Sequence, residues 1–256
     1  MSDSKLLLDA LAKYIKPLTM PVAVMRPIDK AAITDKYIQP SVKLERKLAL
    51  CQGVAAARRY GWTLLFEEAD HGCPASYAYL GFKESSYFNE GGIVYPGYAN
   101  DMAIARKIEQ GNSFFETPPA YLLIGALEKV AFEPELVLVY GNSAQIARIA
   151  QGINYYYGDG VKSTTFGRAA CASYIVKALK YNEPLIVIPS GGERIFASTQ
   201  DDELIVAIPK AYFADTAQGI ERVHKEGLSR FPTIFHGVLN TPDFPAKYWE
   251  VINDGK

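Results

Sequence analysis

The chain has 256 residues, 49% hydrophobic and 21% charged, with a formal net charge of -1. A chain this long buries roughly three quarters of the surface its unfolded form exposes, so it needs no staples to fold. The near balance of 27 Lys and Arg against 28 Asp and Glu argues against a nucleic-acid platform. No apolar run approaches the roughly 20 residues that span a bilayer, and the start MSDSKLLLDALAKYIKP lacks the pattern of a signal peptide. A cytoplasmic protein with no membrane or nucleic-acid partner is expected. The cysteines are three, at Cys51, Cys73 and Cys171, an odd and scattered set that does not suit a disulfide framework.

Residues 4–16 read as a short amphipathic helix, stopped by Pro17 and Pro21. A brief strand follows over Pro21–Met25. Residues 41–59 carry Leu44, Leu48, Cys51 and Ala55 on one helical stripe, with Ser41 as N-cap and Gly61 beyond the end. Trp62–Glu67 is a strand candidate, and a short helix runs from Pro74 to Leu80. Residues 84–97 have no clear period and read as a long loop, a feature often functional inside a compact domain. A helix is expected over Asn100–Gln110 and a strand over Tyr121–Ala126. Leu136–Tyr140 is the clearest buried strand, and Gly141-Asn142-Ser143 turns from it into a helix bearing Ile146, Ile149, Ile153 and Tyr157. Thr165–Lys180 reads as a helix carrying Cys171. Leu185–Ile188 is a strand leading to the turn Pro189–Arg194. Leu204–Ile208 is a strand, Lys210–Glu226 a helix, and the tail after Gly227 is aromatic and punctuated by proline. Strands and helices alternate without a repeat or linker, which predicts one α/β (or α+β) domain over 1–256, a layered mixed sheet flanked by helices.

Five ordered landmarks stand out. They are Cys51 on its helix, Cys73-Pro-Ala-Ser-Tyr-Ala-Tyr-Leu-Gly81 and Pro134-Glu-Leu-Val-Leu-Val-Tyr-Gly-Asn-Ser-Ala-Gln145. Further on come Gly167-Arg-Ala-Ala-Cys171-Ala and Gly192-Glu-Arg194-Ile-Phe-Ala197. With them, residues 21–227 resemble the family catalogued as domain of unknown function 169, found mainly in archaea and anaerobic bacteria. The resemblance names relatives and supplies no reaction. It implies a further cysteine just before the Gly-x-Arg segment in many relatives, a place held here by Ser190.

Several residues can carry chemistry. Pro74 suits the first position of a helix, which makes Cys73 its N-cap, where free N–H groups favour a thiolate. His71 is close enough in sequence to serve as base or ligand. Cys51 on an apolar stripe and Cys171 among small residues each read singly as packing. All three fall at landmarks, and three converging thiolates can hold an iron–sulfur cluster or another thiolate-bound metal, although their spacings of 22 and 98 residues resemble no compact metal motif. Gly191 and Gly192 after a buried strand allow close approach of a ligand, and Arg194 offers a fork for a carboxylate or phosphate. Asn142 and Gln145 sit at a second strand-to-helix turn, where exposed N–H groups can meet an anion as well as cap the helix. Tyr77, Tyr79, Tyr87, Phe88, Tyr95 and Tyr98 cluster around the long loop, as a lid or as a homo-oligomer interface. Three functions follow. The first is a metal or iron–sulfur redox protein of anaerobic metabolism acting on a small anionic ligand, with Cys51, Cys73 and Cys171 as metal ligands and Arg194 on the substrate. The second is a metal-free enzyme with Cys73 as nucleophile and His71 as base. The third is a non-catalytic small-molecule binder.

Overall fold

Six strands form one sheet in the spatial order β2-β3-β1-β4-β6-β5. They are β1 (Val22–Met25), β2 (Leu64–Phe66), β3 (Leu122–Ala126), β4 (Leu136–Gly141), β5 (Leu185–Val187) and β6 (Leu204–Pro209). The computed structural model describes residues 1–84, 86–163, 165–227, 229–233 and 244–253. Much of the proline-punctuated tail, and Ser85 of the predicted loop, lie outside the described residues. Every pairing between named strands is antiparallel. Among the described residues, parallel pairing is confined to isolated bridges, Ile38 with Leu64, Leu48 with His71 and Lys162 with Leu185.

The first described helices are α1 (Asp3–Ala10), α2 (Pro40–Lys43), α3 (Leu50–Tyr60), α4 (Pro74–Tyr77), α5 (Ser86–Asn89) and α6 (Met102–Gln110). They are followed by α7 (Ser143–Tyr157), α8 (Ala178–Tyr181), α9 (Gly191–Ala197), α10 (Phe213–Glu226) and α11 (Ala246–Asn253). Wide π-type turns extend three of them: Leu11–Ile15 after α1, Ala78–Phe82 after α4 and Ala172–Lys177 before α8. Successive strand side chains point to opposite faces. In β4, Leu136, Leu138 and Tyr140 enter one apolar cluster while Val137 and Val139 enter the other. Helices cover both faces, which explains why the strands are apolar throughout even though the sheet is antiparallel. On one face α1, α7 and α10 pack together. Gly152 and Gly219 let α7 and α10 approach so closely that a Cβ on Gly219 would lie 1.9 Å from the Gly152 carbonyl oxygen. The other face carries α3, α4 and the helical segment from Cys171 to Tyr181.

Three stretches differ from the pattern reading, the first two because a tertiary partner competes with helical period and the third because of a local cap. The stripe over 41–59 is broken: α2 ends at Lys43, Glu45 adopts a left-handed φ of 53°, and α3 begins at Leu50. The break lets Leu48 donate its N–H to the Asp70 carbonyl at 2.9 Å and accept from the Gly72 N–H at 2.8 Å. The helix expected from Thr165 starts only at Cys171, after Ala169 at φ 47°, because Arg168 turns inward to a buried carboxylate. The turn Pro189–Arg194 is itself the start of α9, closed by a Ser190/Glu193 capping box. The segment 84–97 is a loop with a short helix (α5), anchored by buried Phe88 and Val94.

Candidate functional site

The Leu48–His71 bridge sets two helix starts side by side. Ala49 caps α3, so Cys51 is its second residue, and Cys73 caps α4 with Pro74 at the first position. Asp70 holds the bend, its Oδ1 accepting from the Ser41 N–H at 2.7 Å and its Oδ2 from the Glu67 N–H at 2.8 Å. Cys73 therefore packs against the small cluster of Ala49, Cys51 and Ala197. It also packs against the main core, to which Cys171 belongs. The helical segment that starts at Cys171 adds a third helix start, and that of α9 completes the corner as a fourth. Glu193, in the first turn of α9, accepts from the Ser190 N–H at 2.7 Å, from the Ser190 hydroxyl, and from the Tyr174 hydroxyl at 3.3 Å.

The electrostatics follow from burial. Loss of hydration pushes the Cys51 thiol up to about 12, with the Glu193 carboxylate and Cys73 adding to the effect. Cys171 is raised by burial too, then by Glu193, Cys73 and Cys51, so the thiols and the carboxyl lie within one another's fields. A helix N-terminus favours an anion by roughly 1 kcal/mol, whereas a rise from 9.0 to about 12 corresponds to about 4 kcal/mol. Burial wins, and the Cys51 thiol stays protonated at neutral pH. Glu193 is itself raised by burial, against the hydrogen bonds from Ser190 and Tyr174.

The three cysteines thus fall within one another's electrostatic reach, a proximity that their sequence spacing left open. Among the described residues no group of three or more His, Cys, Asp or Glu is placed to hold an ion. The Cys51 Sγ lies 4.0 Å from the Gly192 carbonyl oxygen, and Cys171 is enclosed by the apolar core.

Cys73, half-buried, also faces outward. It lines a groove of about 720 Å³ with Lys47, Glu67, Glu68, His71 and Tyr77. His71 is 6% exposed, its ring centroid 5.2 Å from that of Phe66 and 5.4 Å from that of Phe82. Its Nδ1 is buried without a hydrogen-bond partner. Burial pushes its pKa down to about 4, against the pull of Asp70 and Glu68, so the imidazole is uncharged at neutral pH.

Other expected site residues lie elsewhere. Arg194 is engaged by the loop after α9, donating to the Gln200 carbonyl at 3.1 Å, with Nε 3.6 Å from the Asp201 carboxylate. Gly191 and Gly192 have no left-handed φ, and a Cβ on Gly191 would meet nothing within 4 Å. Asn142 and Gln145 form the capping box of α7, and the Gln145 amide donates to the Lys16 carbonyl at 2.7 Å. They serve the opposite face of the sheet. The aromatic group divides: Tyr79 and Phe88 are core, while Tyr95 and Tyr98 are exposed.

Sequence reasoning missed Glu193 and Tyr174 as site groups, and Arg168 as a buried cation. Ser190-x-x-Glu193 is a capping-box pattern and could have marked both α9 and the carboxyl. Arg168 donates to Glu109 at 2.7 Å and to the Tyr79 hydroxyl at 2.9 Å, tying the start of the Cys171 segment to α6 and to the turn after α4. Only the fold pairs these three residues.

No described helix is long and apolar enough to cross a membrane. No curated protein and no solved structure matches the chain. The model of the DUF169 family, described as uncharacterised ArCR, matches residues 10–219, a span that includes all three cysteines and Glu193. Matched over most of its length, the chain belongs to the DUF169 family.

Proposed function

We propose that the protein performs nucleophilic thiol chemistry at Cys73 on a small molecule held in the adjoining groove, in the reducing environment of the cytoplasm. One observation carries the reading. The Cys73 thiol shares a groove wall with His71, whose Nδ1 is buried and unpartnered, and an orphaned buried nitrogen is costly unless something bonds to it. An uncharged imidazole at this place is a hydrogen-bonding partner for the ligand or the thiol, a better fit than the proton-accepting role expected from sequence. Lys47 brings positive charge to the same wall for an anionic group, while Glu68 accepts from the Tyr77 hydroxyl and Glu67 pairs with Lys30. Exposed Tyr155, Tyr156 and Tyr157 support association of like chains through another surface.

The test is native-state alkylation. With a pKa near 12, Cys51 presents a thiolate fraction on the order of 10⁻⁴ at pH 8, so iodoacetamide should label Cys73 first and alone. Cys73→Ser should abolish that labelling. Folded protein in which Cys73 resists labelling while denaturation exposes all three thiols would overturn the reading. The meeting of the three thiols also supports a rival, a cluster or metal held by Cys51, Cys73 and Cys171. Stoichiometric iron and sulfide in anaerobically prepared protein would favour that rival.

A further inference from the structure

We propose that Cys73 and Cys51 form a reversible redox pair, in which Cys73 attacks a small disulfide bound in the groove and Cys51 resolves the product, with Glu193 accepting the Cys51 proton. The inference rests on Cys73 being the reactive thiol and adds an electron-transfer role to it.

Three observations converge. The backbone bonds from Leu48 to Asp70 and from Gly72 to Leu48 set the starts of α3 and α4 in register, and Cys51 and Cys73 lie three and two residues beyond the bridged pair. Cys51 sits in a small cluster with Ala49 and Ala197, against which Cys73 and Ala55 pack, and the alanines offer no competing chemistry. The two thiols differ in access: Cys73 lines the groove, while Cys51 is buried behind it. That asymmetry suits one attacking and one resolving thiol. The resolving thiol must lose a proton inside the protein, and Glu193 directly follows Gly192, whose carbonyl oxygen lies 4.0 Å from the Cys51 Sγ. Burial raises the Glu193 carboxyl and makes it a stronger base than a solvated carboxylate.

The chemistry balances. The Cys73 thiolate attacks one sulfur of the small disulfide, forming a mixed disulfide and releasing the first small thiolate. The Cys51 thiol gives its proton to Glu193, and the resulting thiolate attacks the Cys73 sulfur. The Cys51–Cys73 disulfide forms and the second small thiolate leaves, protonated in turn. Two electrons pass from the two cysteines to the small disulfide, which is reduced to two thiols. Cys171 takes no part.

Oxidised glutathione is the probe, followed by mass spectrometry after acid quench and alkylation. Wild-type protein should show transient glutathionylation of Cys73 and then a Cys51–Cys73 disulfide. Cys51→Ala should stop at stable glutathionylated Cys73, whereas Cys171→Ser should behave as wild type. Glu193→Gln keeps the helix cap but lacks the proton acceptor. It should slow resolution roughly tenfold or more. Far-UV circular dichroism confirms that each variant is folded, and Cys51→Ser replaces Cys51→Ala if needed. A Cys73–Cys171 disulfide overturns the assignment, as does persistent glutathionylation of folded wild type to the extent seen in Cys51→Ala. Either result leaves Cys73 reactive, so failure of the pair is distinct from failure of the nucleophile.

Discussion

Replacing Arg168 by Met tests how the corner is held. Glu109 is wholly buried, and its carboxylate is met by the Arg168 guanidinium at 2.7 Å and by the Tyr79 hydroxyl. Removing one partner of a buried ion pair leaves an uncompensated charge, which costs about 3–5 kcal/mol. For a chain of this size each kcal/mol moves Tm by roughly 2–4 °C, so Arg168→Met should lower it by roughly 6–20 °C. Glu109→Met should cost a similar amount by stranding the guanidinium. The double variant Arg168→Met/Glu109→Met removes both charges and leaves the Tyr79 hydroxyl unsatisfied beside the unpartnered Tyr87 hydroxyl, a penalty of about 1–3 kcal/mol. Adding Tyr79→Phe should return stability near wild type. Urea unfolding followed by circular dichroism reads each midpoint, and an unchanged m value shows that the denatured state is not the cause. Single variants costing under about 1 kcal/mol, or a double variant equal to the sum of the singles, would refute the account. The network also fixes the turn before Cys171, three residues on. Arg168→Met should therefore raise the native-state alkylation rate of Cys171 alongside the loss of stability.

Two further predictions concern stability. His71 has a folded pKa near 4 against 6.5 for the free side chain, so the native state resists its protonation. That contribution is fully present above pH 6.5 and is lost as pH falls toward 4, about 3 kcal/mol in all. His71→Phe keeps the ring contacts and should flatten stability across this window, and a wild-type profile already flat there contradicts the assignment. At the α7–α10 crossing, Gly219→Ala places a methyl group 1.9 Å from the Gly152 oxygen and should destabilise by about 1–3 kcal/mol or more despite the better helix propensity of Ala. Gly191→Ala, with open space at its Cβ, should be neutral or stabilising by about 0.5 kcal/mol. Equal effects at the two glycines would show that close packing does not hold the crossing.

Local pattern was enough for most elements. The unbroken apolar run of β4, the alternation of periodic helices with short strands, the Pro74 start of α4 and the caps of α7 follow from side-chain size, period and backbone chemistry within a few residues. The layered class followed from their order, because amphipathic helices and apolar strands must bury one another. Pattern failed where a distant group competed with local propensity. The stripe over 41–59 gave way to the backbone bonds of Leu48 with Asp70 and Gly72, and the segment before Cys171 gave way to the buried carboxylate of Glu109. Strand order and direction were also closed to sequence, since β1 bonds β3 and β4 across long stretches of chain. The odd trio of cysteines shows the division most clearly. Sequence alone argued against a disulfide framework and predicted that Cys73 heads a helix, as it does. Spacings of 22 and 98 residues say nothing about distance, because loop closure costs little more for a long loop than for a short one. Only the tertiary structure could bring the three sulfurs and Glu193 to one corner, through a two-bond backbone bridge and the packing of four helix starts against one face of the sheet.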